Sequence, residues 1–190
     1  MNEDFQKLVS KNKGTVNLKD LKKYTMIGKG ADGSVFQLAP DRCVKVFGKK
    51  QTKALELKAL QAGQSSPVIP RLYEDGPNYI VMEYVKGISL PQYFKKEKQI
   101  PKPIVEKILA MLVEMEKIGF DRRDTEVRHI LFNENMDIKV IDLKRAFGTV
   151  RTIPTKLLKG IKKKGHIEEF MQHVSQIDPT LYKEWKKNIG

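Results

Sequence analysis

Between Gly28 and Val35 the chain reads Gly28-Lys29-Gly30-Ala31-Asp32-Gly33-Ser34-Val35, with glycines at the spacing Gly-x-Gly-x-x-Gly. Such a segment can close over phosphate oxygens, because no Cβ blocks the approach of its backbone amides. The same spacing also occurs in dinucleotide-binding turns and in ordinary glycine-rich hairpins. A dinucleotide fingerprint opens a helix, whereas here the glycines run into Ser34-Val35-Phe36-Gln37-Leu38, a strand pattern. Lys45 lies on the next expected strand and Glu56 on the next expected helix. A lysine withdrawn from water keeps its charge only beside a partner; with Glu56 in that role, its ammonium can meet the phosphates of ATP. Read singly, Lys45 also fits a snorkelling edge residue and Glu56 a solvated helix acid. Farther on, Asp124 in Arg122-Arg123-Asp124, His129 in His129-Ile130-Leu131 and Asp142 in Val140-Ile141-Asp142 add two carboxylates and an imidazole.

These residues need elements to hold them. Tyr24 to Phe47 alternates and is rich in β-formers, broken by glycines and by Pro40-Asp41, which predicts three consecutive antiparallel strands. Thr52 to Ala62 changes to helical spacing, and Gly63 is placed to end it. Two more strands are expected around Arg71–Glu74 and Tyr79–Tyr84, giving five strands with one inserted helix. Beyond Gly87 the pattern is helical, most clearly from Pro103 to Ile118, where Ile104, Ile108, Leu112, Met115 and Ile118 share a face. Ile130–Asn133 and Ile138–Ile141 read as a hairpin around Glu134-Asn135-Met136-Asp137. Two or three short helices, punctuated by Pro154, Gly165 and Pro179, complete the chain.

Taken in order, the glycine loop, strand lysine, helix glutamate and two aspartates resemble the eukaryotic-type protein kinases over roughly Tyr24 to Leu143. The resemblance implies an α+β, bilobal protein kinase-like fold: a five-stranded antiparallel N-lobe at about 20–85 and a truncated, mainly helical C-lobe at 88–190, together one domain over 1–190. It implies ATP-dependent transfer of a γ-phosphate to a hydroxyl, as by a Ser/Thr protein kinase or autokinase. Asp124 would act as general base or positioner, with Lys45 and Glu56 completing the catalytic set, and Asp142 would hold magnesium. Nucleotide would rest on Gly28, Gly30, Gly33 and Lys45. Met82, Glu83 and Val85 would form the hinge that reads adenine, and Val35, Cys43 and Leu131 would enclose the ring.

The pattern also departs from that family. His129 stands where the second metal is usually held by asparagine, and an imidazole suits manganese or another transition ion better than magnesium, or else serves only as a hydrogen-bonding group. Leu143-Lys144 replaces the usual Phe-Gly. Glu126 stands where many kinases place a phosphate-neutralising lysine, with Arg122, Arg123 and Arg128 near in sequence, and Asp32 adds a second acid at the loop tip. Only 48 residues follow Asp142, too few for a peptide-docking platform. In this the chain resembles RIO kinases and the minimal kinase of the tRNA threonylcarbamoylation complex. A nucleotide-binding pseudokinase and a small-molecule phosphotransferase are the alternative readings.

The 190 residues, 40% of them hydrophobic, are enough for a substantial core. The lone Cys43 cannot form an internal disulfide, Met1 to Lys13 is polar, and no apolar run approaches the ~20 residues of a membrane span. A soluble, cytoplasmic protein is expected. Net charge is +13, and Leu143–Gly190 carries eleven Lys or Arg against four acids. RNA or another polyanion is a candidate partner for that basic region, beside the simpler reading of solvated lysine-rich helix faces.

Overall fold

The computed structural model describes residues 3–188, so the first two and last two positions of the expected 1–190 domain lie outside the described residues. The chain opens with helix α1 (Glu3–Lys11) and a 3-10 turn at Leu18–Leu21. Strands β1 (Met26–Gly30), β2 (Gly33–Ala39) and β3 (Arg42–Phe47) follow, then helix α2 (Lys50–Ala62), β4 (Leu72–Asp75) and β5 (Tyr79–Glu83). These five strands form one antiparallel sheet in the order β1-β2-β3-β5-β4. The remainder is β6 (Gly87–Ser89), α3 (Leu90–Lys96), α4 (Lys102–Lys117), a 3-10 turn at Val127–His129, β7 (Ile130–Asn133), β8 (Ile138–Val140), and helices α5 (Thr155–Lys163), α6 (Ile167–Ile177) and α7 (Pro179–Lys186). The architecture is therefore α+β, an N-terminal five-stranded sheet followed by a largely helical portion. The expected hairpin at 130–141 is present and gains β6 as a third strand.

The sheet is covered on both faces, and the alternation of β3 shows how. Cys43 and Phe47 enter the large core shared with α2 and the helical portion, while Val44 and Val46 point the other way, into a second cluster with Phe5, Leu21 and Tyr79. That second cluster exists because α1 lies across the outer face. Phe5 meets Tyr79 edge-to-face with ring centroids 5.4 Å apart. The polar N-terminal segment gave no expectation of this helix.

Along α4, Ile104, Ile108, Leu112 and Met115 are buried as their spacing requires, and Pro103 is tolerated in the first turn, where no intrahelical N–H partner is lost. Gly33, at φ 158°, starts β2 so close to β3 that a Cβ there would overlap the Val46 carbonyl oxygen. No helix among the described residues is long and apolar enough to cross a membrane.

Candidate active site

Lys45 sits in the middle of β3, opposite Val35 on β2 and Ile80 on β5. It is 8% exposed, and its Nζ donates to both carboxylate oxygens of Glu56, at 2.8 and 2.6 Å. Glu56 projects from α2 and is 2% exposed. Burial pushes its carboxyl up from the ordinary value, and Lys45 opposes that shift. The expected pairing of strand lysine with helix glutamate is thus present, and the snorkelling alternative does not describe this lysine.

Asp142 follows β8 in a turn where its own φ is 59°, a left-handed conformation that aspartate tolerates better than most residues. Its Oδ1 lies 3.7 Å from Lys45 Nζ and its Oδ2 lies 3.4 Å from His129 Nε2. Burial alone would raise the Asp142 carboxyl; Lys45 foremost, with His129 and Lys144, outweighs it and holds the group below the usual aspartate value. Burial lowers the His129 imidazole, against the pull of Asp142. Lys144 Nζ lies 3.4 Å from Asp142 and also bonds Asp32 at the tip of the glycine loop.

Asp124 is 6% exposed and anchored from the other direction. It accepts hydrogen bonds from the Lys156 backbone N–H at 2.5 Å and the Thr155 hydroxyl at 3.2 Å, both from the first turn of α5, with Arg122 at 3.6 Å. The segment after Asp142 runs alongside: Arg122 N–H donates to Ala146 O and Arg151 N–H to Asp121 O. Leu143 is buried in the large core. Phe147 packs edge-on against Phe120 with centroids 5.4 Å apart, and Lys58 of α2 sits 4.6 Å from the centre of its ring.

Asp124 and Asp142 line one cavity of about 150 Å³, together with Glu126, His129 and the cations Arg122, Arg128, Lys144, Arg145 and Lys156. Glu126 is not left as an unanswered acid. Lys156 at 3.1 Å and Arg128 at 2.9 Å flank it, and the Lys156 hydrogen bond is the main reason its carboxyl is held low. Of the three arginines near it in sequence, Arg128 takes this place, Arg122 faces Asp124 and Arg123 pairs with Glu116 at 2.7 Å.

On the sheet side, register places Val35, Cys43, Lys45 and Met82 on one face, since Val35 pairs with Lys45 and Cys43 with Met82. The buried Cys43 thiol donates weakly to the Glu83 carbonyl oxygen at 3.6 Å, and burial raises its pKa to about 12. The Glu83 carboxylate accepts from Arg71 N–H and from Lys139. Val85 is buried beyond the end of β5, and Leu131 lies half-buried on β7. Gly28 and Gly30 lie on β1; around Gly30 a Cβ would meet nothing within 4 Å, so the loop is open there.

Lys144, Thr155 and Lys156 were not foreseen as site residues. Only the position of Lys144, two residues past Asp142 in the same turn, offered a local signal. The basic residues Lys159 and Lys162–Lys164 lie exposed on or just past α5, opposite the buried Leu157, Leu158 and Ile161.

No family model matches the chain. Individual kinases do. YrzF of Bacillus subtilis, a candidate serine/threonine-protein kinase, is 29% identical across 64% of this chain and 59% of its own length. A MAP kinase kinase of Saccharomyces cerevisiae is 29% identical across 73% of this chain and 32% of its own. The dual specificity mitogen-activated protein kinase kinase 1 of Dictyostelium discoideum is 30% identical across 66% and 22%. The chain thus spans less than two thirds of the length of each of these relatives. It is a distant homologue of the serine/threonine protein kinases, with an architecture consistent with a small kinase-like fold.

Such a relationship implies ATP and magnesium, and the residues present fit them. Asp142 Oδ1, a hard oxygen, is buried without a hydrogen-bond partner, with the ammonium groups of Lys144 at 3.4 Å and Lys45 at 3.7 Å beside it. Among the described residues no three His, Cys, Asp or Glu side chains cluster as a self-sufficient metal cage. Magnesium that keeps its waters and takes phosphate oxygens needs no such cage.

Proposed function

We propose that this chain is a compact ATP-dependent phosphotransferase of the Ser/Thr protein kinase type, acting on a hydroxyl. The observation that carries the reading is the position of Lys45: clamped by Glu56 from α2 and 3.7 Å from Asp142, it joins sheet, helix and post-β8 turn at one point. Magnesium-bound ATP supplies the transferable phosphoryl group and its charge-neutralising ion. Lys45 binds phosphate oxygens while Glu56 holds its ammonium in place. Asp142, whose Oδ1 makes no hydrogen bond, would hold the ion, and His129, 3.4 Å from Oδ2, orients that carboxylate. Gly28, Gly30 and Gly33 let the loop backbone approach the phosphates, and Val35, Cys43, Met82, Glu83, Val85 and Leu131 receive the adenine end.

Asp124 orients the accepting hydroxyl and takes its proton. Its geometry is set by Thr155 and Lys156, and the cation of Lys156 stands where Glu126 alone would repel phosphate. Purified protein with labelled ATP, in magnesium and in manganese, tests this. Transfer to added protein or to the chain itself is expected, and its loss in both Asp124→Asn and Asp142→Asn. Transfer surviving both substitutions would end the reading.

A second reading, nucleotide binding without transfer, draws support from Lys144. Its ammonium already occupies part of the Asp142 carboxylate. Thermal stabilisation by nucleotide with no labelled product would select it.

A further inference from the structure

Lys144 belongs to neither the sheet nor any helix, yet it makes the one contact that joins the tip of the glycine loop to the turn after β8 among the ion pairs of the described residues. Its Nζ bonds the Asp32 carboxylate, 112 residues away in sequence, and lies 3.4 Å from Asp142. All three groups are largely shielded, with side-chain exposures of 21% for Lys144, 27% for Asp32 and 22% for Asp142.

Two carboxylates facing the same space would repel any polyphosphate placed between the loop and Asp142. The cation that balances them is therefore decisive for what can bind. An ammonium has three donors and no acceptor, so it can exchange carboxylate oxygens for phosphate oxygens without reorganising its own chemistry. The position usually given to a second metal's ligand holds His129, which offers nitrogen rather than oxygen.

Resting on the kinase reading above, we infer that Lys144 is a built-in phosphate-binding cation: it ties Asp32 to Asp142 before nucleotide arrives, then transfers to the phosphates. In doing so it frees Asp142 for the metal and supplies the positive charge that the site would otherwise draw from a second ion. Asp32 is then a competitor for Lys144 rather than a ligand of the nucleotide.

The two residues make this separable from a purely structural tie. Breaking a structural tie from either end has the same consequence, whereas here the two ends act in opposite directions. Binding of a non-hydrolysable ATP analogue to the full chain is measured by calorimetry, in magnesium and in EDTA. Lys144→Met should weaken binding about tenfold, most clearly in EDTA, and Lys144→Arg should largely restore it. Asp32→Asn should tighten binding several-fold. Loss of affinity in both Asp32→Asn and Lys144→Met, or no change in either, overturns the role of Lys144 while leaving the kinase reading intact. A wild-type chain that binds no analogue overturns both.

Discussion

The Thr155 hydroxyl donates to the Asp124 carboxylate at 3.2 Å, so the residue assigned to the accepting hydroxyl also fastens the first turn of α5. The Lys156 N–H completes that turn at 2.5 Å. Chemical and structural duties therefore fall on the same carboxylate, and the choice of substitution decides which one is measured. Asp124→Ala removes an acceptor from orphan helix donors and should cost about 1–2 kcal/mol. Asp124→Asn keeps a carbonyl oxygen for the Lys156 N–H, while its amide nitrogen can donate to the Thr155 hydroxyl, and should leave the urea midpoint closer to wild type, yet abolish transfer. Equal stability losses in the two variants would contradict this assignment.

The buried pair of β3 and α2 invites a stability comparison. Glu56→Gln leaves Lys45, 8% exposed, without its main charged partner and should destabilise by about 3 kcal/mol in urea unfolding. Lys53 is similarly buried, but its partner Asp75 has a side chain 36% exposed. Water can replace that carboxylate, so Asp75→Asn should cost about 1 kcal/mol or less. The difference between the two variants measures what desolvation adds.

Two glycines of one loop should separate folding from binding. At Gly33 a Cβ would strike the Val46 carbonyl, so Gly33→Ala should lower stability by about 2 kcal/mol. At Gly30 a Cβ meets nothing, and Gly30→Ala should leave the melting temperature nearly unchanged. Any loss of ATP affinity in Gly30→Ala then reports the approach of phosphate to the backbone.

Cys43 provides a pH test. Its thiol is raised from 9.0 to about 12 by burial, so at pH 8 almost no thiolate forms and a disulfide reagent should fail to modify the native chain, though not the denatured one. Because the folded pKa lies above the unfolded one, the stability linked to this thiol is complete below pH 9 and is lost as pH climbs towards 12. Replacing Cys43 by Ala should flatten that alkaline decline in a series of urea melts.

The five-stranded sheet, its inserted helix and the Lys45–Glu56 pairing could be read from the sequence because each leaves a local trace: alternation, glycine punctuation, or a charge on a strand expected to be buried. What could not be read were contacts between residues far apart in the chain. Helix α1 is short and carries just Phe5, Leu8 and Val9 as apolar residues in an otherwise polar stretch, and packing on the outer sheet face, with Tyr79 edge-on, gives Phe5 its burial. Asp32 and Glu126 looked like acids turned against an anionic ligand. Lys144 and Lys156, which answer them, are brought there by folding alone. The missing Phe-Gly after Asp142 likewise read as a loss. Leu143 nevertheless lies in the core, and an aromatic ring returns to the region at Phe147.

That ring also touches two parts of the molecule. Phe147 is held between Phe120 on one side and Lys58 on the other, and Lys58 rides on the helix that carries Glu56. The turns beyond Asp142 thereby meet the helix that clamps Lys45 at an aromatic ring, through the solvent-exposed side chain of Lys58.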